Sequence, residues 1–151
     1  MIGVLCVAEK PSLAAAIAKL LSGGSSVERH GSQSVHEFVA AFEGHDAQFQ
    51  VTSVLGHVYS ADFDGQYQNW DLDPALLFDA PIVRKGDGRI CAHLQQCAKA
   101  CHHLVLWLDC DREGENICFE VMDNTVRWLQ PARGKQVRRP SLLPESGTTQ
   151  H

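Results

Sequence analysis

Hydrophobic positions along the chain fall into short apolar runs that alternate with longer amphipathic stretches. IGVLCVA (Ile2–Ala8) and LVLWL (residues 104–108) have the length and composition of buried strands. SLAAAIAKLLS, residues 90–101 and residues 113–128 have the three-to-four-residue periodicity of helices, and Ser12 is a candidate N-cap for the first of them. Strands that alternate with helices predict an α/β fold whose open sheet has a parallel core and flanking helices.

The remaining segments carry turn and hairpin signals. Gly-Gly-Ser-Ser at residues 23–26 is expected to end the first helix. Residues 34–58 resemble two strands joined by a polar, glycine-containing turn at residues 43–46, which predicts a hairpin. Residues 61–83 mix aromatic residues and prolines with little periodicity. We expect an ordered loop there, with a short helical turn near residues 73–78.

The carboxyl-terminal part of the sequence departs from this pattern. We assign residues 1–128 to one domain and residues 129–151 to a disordered tail, because the latter are rich in Pro, Gly, Ser and Thr and offer little to bury. The tail carries a basic cluster that either contacts phosphate, acts as a localisation signal or is simply a solvated segment. That cluster consists of Arg133, Lys135, Arg138 and Arg139.

Composition narrows the class of protein without naming its partner. The chain has 151 residues, 44% of them hydrophobic and 21% charged, which is typical of one globular domain. The net charge of -5 argues against binding nucleic acid by bulk positive charge alone, although a local patch or a bound cation can reverse the sign locally. No apolar run approaches the ~20 residues of a membrane span, and no signal segment precedes Glu9, so we expect an intracellular protein without a membrane partner.

Six cysteines are expected to be reduced in that compartment. His93, Cys97 and Cys101 are spaced by four and would share one face of a helix, which raises the possibility of a metal site. The paired C-x-x-C spacing of most zinc sites is missing. The favoured interpretation is a helix that turns its thiols towards the core.

An unusual acidic run follows the second predicted core strand. Asp109, Asp111 and Glu113 come directly after it, and Glu9 comes directly after the first strand. In open α/β sheets functional groups gather at the carboxyl ends of strands. If the two strands are neighbours, we expect all four carboxylates to share one pocket. A D-x-D alone is a weak motif, but this combination is more specific.

Carboxylates this close need a compensating cation, because like charges at ~4 Å repel by several kcal/mol outside bulk water. Oxygen-only donors indicate Mg²⁺, which usually completes its shell with water and phosphate and so points to phosphoryl-transfer chemistry. Glu9 is then a candidate general acid or base. The alternative is that Glu113 and Glu115 only complement the positive end of a helix dipole.

Five stretches of the sequence carry a resemblance to a known family. VAEKPS and LDCDREGENICFE resemble the two signatures of the Toprim domain of type IA DNA topoisomerases, and most resemble their eukaryotic type III branch. TSVLGHV, WDLDP and LFDAPI support the same match, which runs from about residue 2 to about residue 122. The resemblance implies a Rossmann-like Toprim fold and a magnesium-dependent enzyme of DNA topology.

The resemblance also implies roles for individual residues. Glu9 corresponds to an active-site acid near the scissile phosphate, which also belongs to the metal site, and Lys10 corresponds to a lysine that stabilises the charge of that phosphate. Asp109, Asp111 and Glu113 correspond to the Mg²⁺ ligands. The alternative for Lys10 is a solvated lysine in the first turn of a helix.

Two further residues have two interpretations each. His57 lies in a Gly-His that the family shares, so it either lies near the DNA and the acidic pocket or packs at a strand end. Arg112 lies between the metal carboxylates and either contacts phosphate or offsets their charge.

The family's strand passage needs a tyrosine that holds a DNA 5′ phosphate, which conserves the energy of the broken bond without ATP. Tyr59 and Tyr67 lie in contexts unlike that tyrosine, and the gate domains are not recognisable, so this chain alone is expected to be inactive. The resemblance implies single-stranded DNA or RNA as partners and a nuclear or additionally cytoplasmic location. Two alternatives are a metal-binding or regulatory fragment without catalysis and a small Toprim nuclease that uses metal-activated water.

Overall fold

The computed structural model describes residues 1–130. The strands are β1 (Ile2–Ala8), β2 (Val27–Arg29), β3 (Val35–Phe42), β4 (His45–Ser53), β5 (Tyr59–Phe63), β6 (Ile82–Gly86) and β7 (His103–Trp107). The α-helices are α1 (Pro11–Leu21), α2 (Gly88–Ala98) and α3 (Arg112–Thr125), with short 3-10 turns at Gly65–Tyr67, Pro74–Leu77 and Val126–Trp128. Within residues 1–130, the helices are too short or too polar to cross a membrane.

The main sheet has five strands in the order β2-β3-β4-β1-β7. β1 pairs in parallel with both β4 and β7, whereas β2 and β3 add an antiparallel flank. The α/β class, the parallel core and the pairing of the two strongest apolar runs are therefore confirmed. Residues 34–58 also form the predicted hairpin, with its turn at Glu43 and Gly44.

The core lies on both faces of β1, which explains why nearly every residue of that strand is apolar. Leu5 and Val7 face the layer formed by α2 and α3, where they pack in one cluster with Leu94 and Ile117. The alternate residues of β1 lie on the face that α1 covers, where they pack in one cluster with Ile17 of α1 and with buried residues of β3 and β4. Helices therefore cover both faces of the central strand.

The start of α1 differs from the prediction. Lys10, not Ser12, is the N-cap residue, and Ser12 lies inside the helix. Pro11 occupies the first helical position, where its missing N–H is no loss and its fixed φ suits the helix. The predicted end is correct, since Gly23 and Gly24 leave the helix with φ of 61° and 88°.

Residues 61–83 are more regular than expected. β5 and β6 pair antiparallel in a separate two-stranded sheet, with Tyr59 opposite Gly86 and Phe63 opposite Ile82. The sequence pattern hid these strands because most of their side chains are exposed and show no alternation. The helical turn near residues 73–78 is confirmed as the 3-10 turn Pro74–Leu77.

The described chain stays packed to its last residues. Leu129 contacts the core cluster beneath α2 and α3, and the Gln130 N–H donates to the Cys101 carbonyl at 2.8 Å. Residues 131–151, which hold most of the predicted tail and its basic cluster, lie outside the described residues.

Candidate functional site

The carboxyl ends of β1 and β7 lie side by side. The two strands are parallel and in register, with Ala8 opposite Trp107, so Glu9 and Asp109 follow at the same edge of the sheet. The Glu9 side chain is only 18% exposed, and its Oε1 lies 3.5 Å from Lys10 Nζ. This pairing places the two predicted catalytic residues and the start of the acidic run at neighbouring strand ends.

The acidic run forms the turn into α3. Asp111 is the N-cap residue, and its Oδ1 accepts a hydrogen bond of 2.7 Å from the Gly114 N–H. Glu113 and Glu115 occupy the first helical turn, where the positive end of the helix dipole favours acidic side chains. The helix therefore stabilises the acids locally, and it fixes one oxygen of Asp111 towards the backbone.

Gly114 is a residue that sequence reasoning missed. A β-carbon at this position would overlap the Asp109 carbonyl oxygen and lie 2.9 Å from the Asp109 carbonyl carbon. The first turn of α3 therefore lies directly against the backbone of the strand end. The available signal was a glycine inside an acidic helix start, a position where glycine is otherwise unfavourable.

An open cleft contains two of the predicted metal ligands. Asp109 and Asp111 line it together with Glu115 and Arg112. Within residues 1–130, no three His, Cys, Asp or Glu side chains are grouped closely enough to hold a metal ion. The expected convergence of four carboxylates in one pocket is thus absent from this arrangement.

Glu113 instead faces His57. The Glu113 Oε1 atom lies 3.4 Å from His57 Nε2, and the Glu120 Oε1 atom lies 3.5 Å from His57 Nδ1. The His57 side chain is 43% exposed, so it is not a core histidine. It follows Gly56, whose φ of 89° turns the chain after β4 towards α3. His57 therefore lies beside the acidic helix.

Glu120 is a second residue that sequence reasoning missed. Its side chain is 4% exposed, and its Oε2 accepts hydrogen bonds from the Val58 N–H at 2.8 Å and the Tyr59 N–H at 3.3 Å. Its Oε1 accepts from Asn116 Nδ2 at 3.1 Å. The available signal was a glutamate on the inward stripe of α3, beside Ile117 and Val121, because a charge there must be paired.

The Arg84 side chain also lies beside Glu120. Arg84 on β6 places Nη2 at 3.6 Å from Glu120 Oε1 and Nη1 at 3.7 Å from Asp123 Oδ2. Its guanidinium also lies 4.2 Å from the centre of the Tyr59 ring. Burial raises the pKa of the Tyr59 phenol. Arg84 and Glu120 together tie the β5–β6 hairpin to α3.

The thiols near His93 belong to the core. Cys97 and Cys101 are buried, and burial raises the pKa of Cys97 to about 11 and that of Cys101 to about 12. Burial also lowers the pKa of His93, whose Nε2 lies 2.8 Å from Thr52 Oγ1. Both thiols pack in the core cluster that includes Leu94 and Ile117. The interpretation as core thiols is confirmed.

The acidic loop has the donor chemistry of a site for a hard cation. Asp109 and Asp111 supply carboxylate oxygens at one cleft, and Mg²⁺ commonly binds to one or two carboxylates while it keeps several waters. A pair of aspartates therefore fits this ion without a larger cluster. Lys10 and Arg112 supply positive charge at the two strand ends that could face a phosphate.

The class of protein follows from comparison with known families. A family model described as the Toprim domain matches residues 4–140, so this chain belongs to the Toprim family. Similar proteins include several DNA topoisomerases. DNA topoisomerase 3-beta of Arabidopsis thaliana is 55% identical over 142 residues, which cover 91% of this chain and 16% of that protein.

Two further relatives agree. DNA topoisomerase 3-beta of Oryza sativa subsp. japonica is 57% identical over 126 residues, which cover 81% of this chain and 14% of the relative. DNA topoisomerase 3-beta-1 of Homo sapiens is 47% identical over 139 residues, which cover 87% and 16% respectively. The resemblance to type IA topoisomerases of the eukaryotic type III branch is confirmed, and the chain spans only a small part of each relative's length.

Proposed function

We propose that this chain is the Mg²⁺-binding Toprim portion of a type IA topoisomerase similar to the 3-beta enzymes. The observation that carries the proposal is the in-register parallel pairing of β1 with β7, which brings Glu9 and Asp109 to one edge of the sheet. Family membership and the identity to topoisomerases 3-beta support the same function.

The proposed roles follow from the local geometry. Asp109 and Asp111 hold Mg²⁺, and we assign Glu113 to the same metal site because the family resemblance implies it, although its carboxylate faces His57 in this structure. When bound, the ion supplies positive charge that neutralises a nucleic-acid phosphate. Glu9 donates a proton to the sugar oxygen that leaves phosphorus when the P–O bond breaks, and it takes that proton back when the strand is rejoined. Lys10, whose Nζ lies 3.5 Å from Glu9 Oε1, offsets charge on the phosphate.

The wider activity is part of the same proposal. The chain contributes to ATP-independent breakage, passage and rejoining of single-stranded DNA, with RNA as an alternative substrate, in the nucleus and additionally in the cytoplasm. In the part of the chain that the structure covers, the residues that line the Asp109 cleft include no tyrosine. We therefore propose that the 151-residue chain does not form a phosphotyrosine by itself.

A Mg²⁺ titration of the purified chain tests the metal site. Asp111→Asn is the informative variant, because asparagine keeps a side-chain oxygen for the Gly114 N–H and removes the negative charge. Glu115→Gln is the matched control, since it removes the same charge from the same cleft at a residue to which we assign no ligand role. We expect Mg²⁺ to raise the Tm of the unsubstituted chain and of Glu115→Gln, but not of Asp111→Asn. Equal responses of all three would refute the assignment.

Nicking of supercoiled DNA separates the topoisomerase portion from a nuclease. One observation favours the alternative function of a nuclease. Asp109, Asp111 and Arg112 line an open cleft at which water and a phosphate can meet. The topoisomerase proposal predicts no nicking by this chain. Mg²⁺-dependent nicking that Asp109→Asn abolishes would establish the nuclease instead, whereas nicking that survives Asp109→Asn would indicate a contaminant.

A further inference from the structure

His57 is held between two carboxylates that belong to one helix. Its Nε2 lies 3.4 Å from Glu113 Oε1, and its Nδ1 lies 3.5 Å from Glu120 Oε1. Residues seven apart on an α-helix lie on the same face about 10 Å apart along the axis. One imidazole ring, with a nitrogen on each side, bridges that gap.

The two carboxylates have very different surroundings. Glu113 is 68% exposed, whereas Glu120 is 4% exposed. Glu120 is fixed by the N–H groups of Val58 and Tyr59 and by the Asn116 amide. A buried carboxylate with three hydrogen bonds keeps its place, while an exposed glutamate at a helix start samples several rotamers. The contact with Glu120 therefore restricts the orientation of the His57 ring, and the ring in turn restricts the rotamers of Glu113.

We propose that Glu120 is a positioning residue, which orients His57 so that the His57 ring fixes the Glu113 carboxylate of the acidic run. The proposal rests on the proposed function, which assigns Glu113 to the metal site. The added residue, Glu120, lies outside the acidic motif and two helical turns from Glu113. Its effect on the affinity for a bound cation is exerted through His57. Partners that orient ligating groups commonly affect metal affinity by about 10- to 100-fold.

A purely structural role makes a different prediction. Glu120 also lies 3.6 Å from Arg84 on β6, so it contributes to docking of the β5–β6 hairpin. Asp123 shares that role, because its Oδ2 lies 3.7 Å from the same guanidinium, but within residues 1–130 no hydrogen bond or ion pair joins it to His57. Asp123→Asn is therefore the matched control for Glu120→Gln: each removes one carboxylate charge from Arg84.

The first measurement is the ring ¹⁵N signals of His57 in the full 151-residue chain. In Glu120→Gln the side chain keeps an oxygen that can accept from the Val58 and Tyr59 N–H groups. We expect the unsubstituted chain and Asp123→Asn to give the same His57 ring signals and the same contacts between the ring and Glu113. In Glu120→Gln we expect the ring signals to shift and the contacts with Glu113 to disappear. Unchanged ring signals and Glu113 contacts in Glu120→Gln would overturn the proposal. This readout requires no metal.

The second measurement is Mg²⁺ affinity in a double-mutant cycle. We expect about 10-fold weaker binding in Glu120→Gln and in His57→Ala, and no further loss when both are combined. If Glu120→Gln weakens binding equally with and without His57, Glu120 does not act through the ring and the proposal fails. Absence of Mg²⁺ binding by the unsubstituted chain would refute the metal site alone, and the ring signals would still decide the positioning role.

Asn116→Ala covers the case in which Glu120→Gln does not fold. It leaves the Glu120 charge in place and removes only the side-chain amide that donates to Glu120 Oε1. We expect a shift of the His57 ring signals in the same direction as in Glu120→Gln, but smaller. Ring signals identical to those of the unsubstituted chain would contradict the ordering of His57 by Glu120.

Discussion

Gly114→Ala adds one methyl group at the point where α3 meets the end of β7. The new β-carbon would overlap the Asp109 carbonyl oxygen and lie 3.0 Å from the Asp109 nitrogen. Both atoms belong to the backbone, so no change of rotamer relieves the overlap. The Gly114 N–H is also bound to Asp111 Oδ1 at 2.7 Å, and any retreat of the helix weakens that cap.

The expected cost is the balance of three effects. A forced shift of packed backbone costs about 1 to 3 kcal/mol, and a weakened N-cap costs up to about 1 kcal/mol. Alanine is favoured over glycine in a helix by about 1 kcal/mol, which opposes both. We therefore expect the free energy of unfolding to fall by up to about 3 kcal/mol, and a loss near 2 kcal/mol lowers the Tm by roughly 4 to 8 °C.

Urea unfolding followed by far-ultraviolet circular dichroism measures this change. Gly88→Ala is the control, because Gly88 lies in the first turn of α2 just as Gly114 lies in the first turn of α3. A β-carbon at Gly88 meets no atom within 4 Å. The control should be neutral or stabilised by up to about 1 kcal/mol. If Gly114→Ala is as stable as Gly88→Ala, the close approach of α3 to Asp109 is wrong.

Two other predictions concern α2 and the thiols. Asp87→Ala should lower the free energy of unfolding in urea by about 1 kcal/mol, because Asp87 Oδ1 accepts from the N–H groups of Arg89 at 2.9 Å and Ile90 at 3.3 Å. Asp87→Asn should lower it less, and equal losses in the two variants would contradict the role of Asp87 as N-cap. Burial raises the pKa of Cys97 to about 11 and of Cys101 to about 12, from 9.0, so the folded state keeps protons that the unfolded state releases. The resulting stability is present below about pH 9 and is lost as the pH rises through the folded values; Cys101→Ala should flatten that alkaline loss, and an unchanged pH profile would contradict the burial.

Local signals explain the correct predictions. β1 and β7 are apolar along their length because layers cover both faces of the sheet, and this requirement is visible in the residues themselves. The acidic turn was also predictable, since Asp111 as N-cap and the glutamates of the first turn follow from the chemistry of a helix start. Ser12 was misplaced because Pro11 sets the helix start two residues earlier than a Ser12 cap would.

The alternation of strands and helices, the acidic run after a buried strand and membership of the Toprim family can all be read from the residues alone. Each of these depends on residues that are neighbours along the chain. The contact of Glu113 with His57 and the burial of Glu120 beside the same ring became visible only in the folded chain. The physical reason is that such contacts join residues far apart in sequence, and no local pattern specifies which partner a buried charge will find.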